Sequence, residues 1–107
     1  MKTLDLGWLA GIIEGEGWIG FNTTKSIHRC PCVEVGMVDK DVIARVAGLF
    51  GKKVLGPYGP YTTNRQAHYQ AQVYGKDAVR VLKLILPHLG KRRTKAAKKM
   101  LKWWESR

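Results

Sequence analysis

Residues 6–17 read LGWLAGIIEGEG, an apolar run with glycine at positions 7, 11 and 15 and a carboxylate pair, Glu14 and Glu16, at its end. From Asp5 to Glu14 the side chains of Leu6, Trp8, Leu9, Ala10, Ile12 and Ile13 surround a helix rather than striping one face, so that helix must be buried on several sides. Its composition works against it. An interior Gly costs about 1 kcal/mol relative to Ala, and acids at the C-terminal end meet the negative pole of the helix dipole. Glycines four apart share one face and admit a second backbone at close range. That backbone is either a twin helix or the chain's own sheet, and spacing alone does not choose between them.

After Gly17 the period changes from helical to two. Ile19, Phe21 and Thr23 alternate with Trp18, Gly20, Asn22 and Thr24, which reads as a half-buried strand. A turn near Lys25 to Arg29 leads to a partner strand with Val33, Val35 and Met37 toward a core and Cys32, Glu34 and Gly36 on the other side. Asp39 is placed to cap an amphipathic helix carrying Val42, Ile43, Val46, Leu49 and Phe50, which Gly51 ends. Val54 and Leu55 suggest a short third strand, and GPYGPY followed by TTNR reads as a long polar turn.

QAHYQAQVY then gives the clearest strand, with Ala67, Tyr69, Ala71 and Val73 on one face and Gln66, His68, Gln70 and Gln72 on the other. Lys76 and Asp77 open a third helix that Pro87 ends or kinks, and KRRTKAAKKMLKWW docks a last helix through Ala97, Met100, Leu101 and Trp104. The order is αββαββα with an additional helix. It predicts an α+β fold, one domain over residues 1–107, with helices covering one face of an antiparallel sheet and the other face left free.

Nineteen Lys and Arg against eight Asp and Glu give a formal charge of +11, which points to a polyanion and first to nucleic acid. No apolar run approaches the ~20 residues of a spanning helix, and the early apolar stretch lacks the basic lead-in of a secretory signal, so an intracellular setting is expected. Cys30 and Cys32 on one strand would point the same way without an easy disulfide, as free thiols. His28 extends that series, but no second cluster completes a tetrahedral zinc site.

Leu9 to Gly17, LAGIIEGEG, resembles the nine-residue signature of the LAGLIDADG homing endonucleases. The element order and the Pro87–Leu89 PxL turn before a basic last helix extend the resemblance over nearly the whole chain. It implies a saddle-shaped sheet lying along DNA, with two signature helices packed at the centre. One signature is present, and single-motif members act as homodimers. Gly7, Trp8, Gly11, Ile12 and Gly15 would then form the dimer interface.

The family's activity is phosphodiester hydrolysis by divalent cations, Mg²⁺ being the natural one. By resemblance the second signature acid, Glu16, binds metal with the Gly15 carbonyl, while Glu14 serves the helix end. Two copies of Glu16 near a twofold axis would make a double-strand break at a pseudo-palindromic site. Met37 stands where the family often has Gln, and Arg92 with its neighbour Lys91 would stabilise the transition-state phosphate. Gln and Asn pair with adenine and Arg with guanine in the major groove. The free face offers Asn22, Thr24, His28, Arg29 and Glu34 on one hairpin and Arg65, Gln66, His68, Gln70 and Gln72 on the other.

Lys25, Lys52, Lys53, Arg93, Lys95, Lys98, Lys99 and Lys102 would anchor phosphates. The family setting is a mobile element, an intron, intein or phage gene. RNA-binding intron maturases of the same fold, and DNA binders that do not cut, are the alternative readings. A basic ribosome-associated protein is a third class, which the signature disfavours.

Overall fold

The computed structural model describes residues 1–22, 29–59 and 66–107. Helix α1 (Thr3–Glu16) is two residues longer at each end than its apolar run, which places Glu16 on the last turn rather than beyond it. Gly17 closes that turn by donating its N–H to the Ile13 carbonyl. The backbones come so close there that a Cβ on residue 17 would lie 2.7 Å from the Ile13 Cα. Glycine is what lets the chain pass directly from helix to strand.

Strands β1 (Gly17–Asn22), β2 (Cys30–Met37), β3 (Leu55–Tyr58) and β4 (His68–Tyr74) form one sheet in the order β1-β2-β4-β3. Every neighbouring pair is antiparallel. Helices α2 (Lys40–Phe50), α3 (Gly75–Ile85) and α4 (Lys91–Ser106) join α1 on one side, with a 3₁₀ turn, Leu86–His88, carrying Pro87 between α3 and α4. The core between sheet and helices holds Leu9 and Ile13 of α1, Val33 and Val35 of β2, and Val73 of β4. Ile43 and Phe50 of α2, Leu82 and Ile85 of α3, and Met100 of α4 complete it. Each of the large side chains contributes roughly 1.5–3 kcal/mol by leaving water. The expected α+β architecture is the one observed.

Four local expectations change. The first GPY is strand rather than turn: β3 runs through Gly56 and Pro57 to Tyr58, with its register against β4 slipping between Leu55 and Tyr58. Proline is tolerated because β3 is an edge strand and a missing N–H there breaks no ladder on its outer side. Strand β4 begins at His68, so Gln66 and Ala67 precede it. Asp39 stands at the N-cap position of α2, yet its side chain makes no capping hydrogen bond. Trp103, beside the expected docking line of α4, packs edge-on against Phe21 at 5.0 Å. Thr24, Lys25, His28 and Arg65, with most of the two turns that carry them, lie outside the described residues.

Candidate nucleic-acid interface

The two sides of α1 have different surroundings. Leu9, Ala10 and Ile13 are buried against the sheet. On the opposite side a Cβ added to Gly7, Gly11 or Gly15 would meet nothing within 4 Å. The glycines therefore do not pack on the chain's own sheet. Leu4, one turn before Gly7 and Trp8, is 87% exposed on this helix. Sequence reasoning passed over Leu4, although its i, i+3, i+4 spacing to those residues was the available signal. Ile12 is half-buried, as is Trp8, whose indole carries the Arg45 guanidinium 3.9 Å from its centroid. Arg45 also reaches Asp5 at 3.7 Å.

The two carboxylates at the end of α1 separate. Glu14 Oε1 accepts the N–H of Gly90 at 2.6 Å, and Gly90 is the N-cap of α4. A negative group there satisfies an orphan donor and the positive pole of α4 together. A Cβ on residue 90 would sit 3.3 Å from that carboxylate, so glycine suits the close approach. Glu16 is exposed and opens into a cleft of about 640 Å³. Gly36 and Met37 at the end of β2 line the same cleft, as do Asp39 before α2 and Gln66, His68 and Gln70 from the β4 segment. Lys91 and Arg92 are exposed on the first turn of α4, outside the cleft lining but next to the residue that Glu14 holds.

Alternation sends His68, Gln70, Gln72 and Tyr74 of β4 to the face away from the core, beside Glu34 and Cys32 of β2. Their side chains are joined. The Tyr74 hydroxyl donates to Gln72 Oε1, and Gln72 Nε2 donates to Gln70 Oε1 at 3.0 Å. Tyr74 extends the glutamine face beyond the residues expected there, continuing the alternation by one more step. Toward β1 the face becomes aromatic. The Trp18 indole covers Gly20, where a Cβ would lie 2.4 Å from the ring. Cys32, between Gly20 and Tyr74 in register, is 1% exposed despite facing away from the core. Burial first, then the charges of Glu34 and Cys30, push its thiol up to about 12, with a Tyr74 hydrogen bond pulling the other way. Burial likewise raises the Tyr74 phenol, while a hydrogen bond from Asn22 opposes the rise.

Arg29 does not join the amide row. Its guanidinium, from the residue just before β2, lies 5.4 Å over the ring of Phe21 in β1, which packs against Trp103 of α4. Lys52 pairs with Asp77 at 3.5 Å. The Nε of Arg93 is buried with no hydrogen-bond partner among the described residues, so Arg93 is not a freely solvated phosphate anchor. Lys53, Lys95, Lys98, Lys99 and Lys102 are exposed. Cys30 and Cys32 are free thiols. Among the described residues no group of three or more His, Cys, Asp or Glu is placed to hold a metal by itself, and no helix is long and apolar enough to cross a membrane.

No family model matches the chain, and no curated protein resembles it in sequence. Solved structures match its fold. The homing endonuclease I-CvuI in complex with its target superposes with a TM-score of 0.73 and 18% identity, over 95% of this chain and 66% of that one. The group I intron-encoded homing endonuclease I-CeuI, complexed with DNA, gives 0.69 and 14% over 98% and 57%. This is the homing-endonuclease fold. The archaeal intron-encoded I-Vdi141I, also complexed with DNA, gives 0.57 and 13% over 77% of this chain. The chain spans just under two thirds of the length of I-CvuI and less of I-CeuI.

Proposed function

We propose that the protein is a site-specific DNA endonuclease that makes a metal-dependent double-strand break as a homodimer. One observation carries the reading: Glu16 ends α1 inside a cleft that it shares with the amide row of β4, in the fold of enzymes solved on DNA. The open glycine face of α1 supports the pairing, since a second copy would cover Leu4, Gly7, Gly11 and Gly15 and bring two Glu16 carboxylates together about a twofold axis.

The donor set fits a hard divalent cation. Mg²⁺ takes one or two carboxylates and completes its shell with water and substrate phosphate, so Glu16 and the Gly15 carbonyl from each copy would suffice. I-CvuI was solved with calcium and with magnesium. Such an ion supplies an activated water and charge neutralisation at the leaving oxygen. The other steps belong to side chains. Gln66, His68 and Gln70 align the duplex across the cleft, and exposed lysines of α4 bind phosphates. Met37 brings a thioether to the position where the family often has Gln, and Gln70 supplies an amide to the same cleft. Arg92, with Lys91, faces phosphate charge from the start of α4.

Incubation with a randomised duplex library and Mg²⁺ tests the reading through paired strand breaks at a pseudo-palindromic site. Tight binding with no cut under any divalent ion would leave a DNA binder of the same fold. Contacts to ~6–10 phosphates would lower affinity by roughly 10³–10⁵ between low and moderate salt, and a flat salt response would sink the DNA reading altogether.

A further inference from the structure

The hydrogen-bonded row on β4 has a consequence for which base the protein prefers. A strand spaces residues i and i+2 at about 6.6–6.8 Å on one face, close enough for long side chains to touch. Here the row has a direction, because Tyr74 donates to Gln72 Oε1 and Gln72 Nε2 donates to Gln70 Oε1. A carboxamide standing on a strand has four hydrogen-bonding directions. One carbonyl lone pair and one N–H point sideways, and one lone pair and one N–H point outward together. In Gln72 both sideways groups are engaged, the oxygen by Tyr74 and the nitrogen by Gln70. The outward pair is left free, with the order of acceptor and donor fixed.

We infer that Gln72 is a preset adenine reader and that Tyr74 is the positioning residue that sets it. The inference rests on the DNA-binding reading above. Adenine presents the N6–H donor beside the N7 acceptor, the complement of a lone pair beside an N–H. Guanine presents O6 and N7, both acceptors, so the fixed Oε1 would face O6 with no proton between them. An unanchored glutamine escapes this conflict by turning its amide over; here that turn would break the phenol's bond to Oε1 and leave Nε2 to donate to a phenol oxygen that already accepts from Asn22. Burial keeps the phenol protonated well above neutral pH, so its donor is present throughout the working range. Gln70, which lines the cleft with Glu16, differs, because its oxygen accepts from Gln72 while no neighbour in this row fixes its nitrogen.

Tyr74→Phe keeps the ring and removes the donor. Binding of full-length wild type, Tyr74→Phe and Gln72→Ala to a randomised duplex library would be measured with calcium in place of magnesium, scoring each base position separately. Wild type should prefer adenine over guanine at one position of each half-site by roughly 5- to 150-fold. Tyr74→Phe should lower that preference several-fold at this position alone, and Gln72→Ala should abolish it at the same position. Thermal melting should match wild type in both variants, and affinity for non-specific DNA should match it in Tyr74→Phe. An unchanged preference in Tyr74→Phe would overturn the inference, as would an equal loss at every position or a Gln72→Ala effect at a different one. Absence of DNA binding by wild type would overturn the endonuclease reading and this inference with it.

Discussion

The two sides of α1 carry the same kinds of residue and end in opposite states. On the inner side Leu9, Ala10 and Ile13 are buried. On the outer side Leu4 is exposed and the glycines face open space. A helix advances 100° per residue, so the two carboxylates at its end point apart, Glu14 to the start of α4 and Glu16 into the cleft. The inner side is complete within one chain. The outer side acquires its partner only from outside, in the proposed reading from a second copy, and this is why interior glycine persists there at a cost in helix stability.

The contrast can be broken at four points. The largest effect belongs to Glu16→Gln, which should lower the cleavage rate by at least roughly 10²-fold while leaving folding and DNA binding in place. Cleavage assays beside gel-shift titrations read both quantities, and loss of binding together with cleavage would return Glu16 to a structural role. Next is Gly11→Leu. It should fold as well as wild type or better, since its Cβ meets nothing within the chain, yet weaken dimerisation by roughly 5- to 150-fold through overpacking. Sedimentation against concentration decides this, and an unchanged dimer would place the interface elsewhere.

Glu14→Gln comes third and should do the reverse. Removing the charge that accepts the Gly90 N–H should cost about 1 kcal/mol in denaturant unfolding, with the cleavage rate little changed at a temperature where the variant is folded. If cleavage fell as far as in Glu16→Gln, the proposed division of labour between the acids would be wrong. The smallest effect concerns the sheet. Burial pushes the Cys32 thiol up to about 12 in the folded chain, from an ordinary value of 9.0. Between those values the unfolded chain binds fewer protons, so Cys32 should make stability fall as pH rises from about 9 to about 12 and contribute nothing to its slope below 9. Cys32→Ala should flatten that alkaline limb in pH-dependent unfolding, compared with a Cys30→Ala control.

Much of this was legible in the residues, and for identifiable reasons. Element order followed from the changes between helical and two-residue period, and the face of β4 from strict alternation, because side-chain direction along a strand depends only on parity. The roles of Arg29 and Arg93 were not legible. Each is one basic residue among many in the sequence, and only the position of Phe21 and the packing around the start of α4 decide that the first stacks and the second has its Nε buried. Tyr74 was within reach of the same alternation that exposed the glutamines, and its hydroxyl was the overlooked signal.

By itself the sequence determined the helix-to-strand plan, the basic charge and the glycine stripe, since composition and period act over a few neighbouring residues. Tertiary structure alone decided what each exposed group faces. It put Glu14 against Gly90, 76 residues away, Glu16 beside Gln70 of β4, and the glycines against open space. These are contacts between distant segments. Their geometry is set by how the sheet and helices pack, which no local pattern of residues encodes.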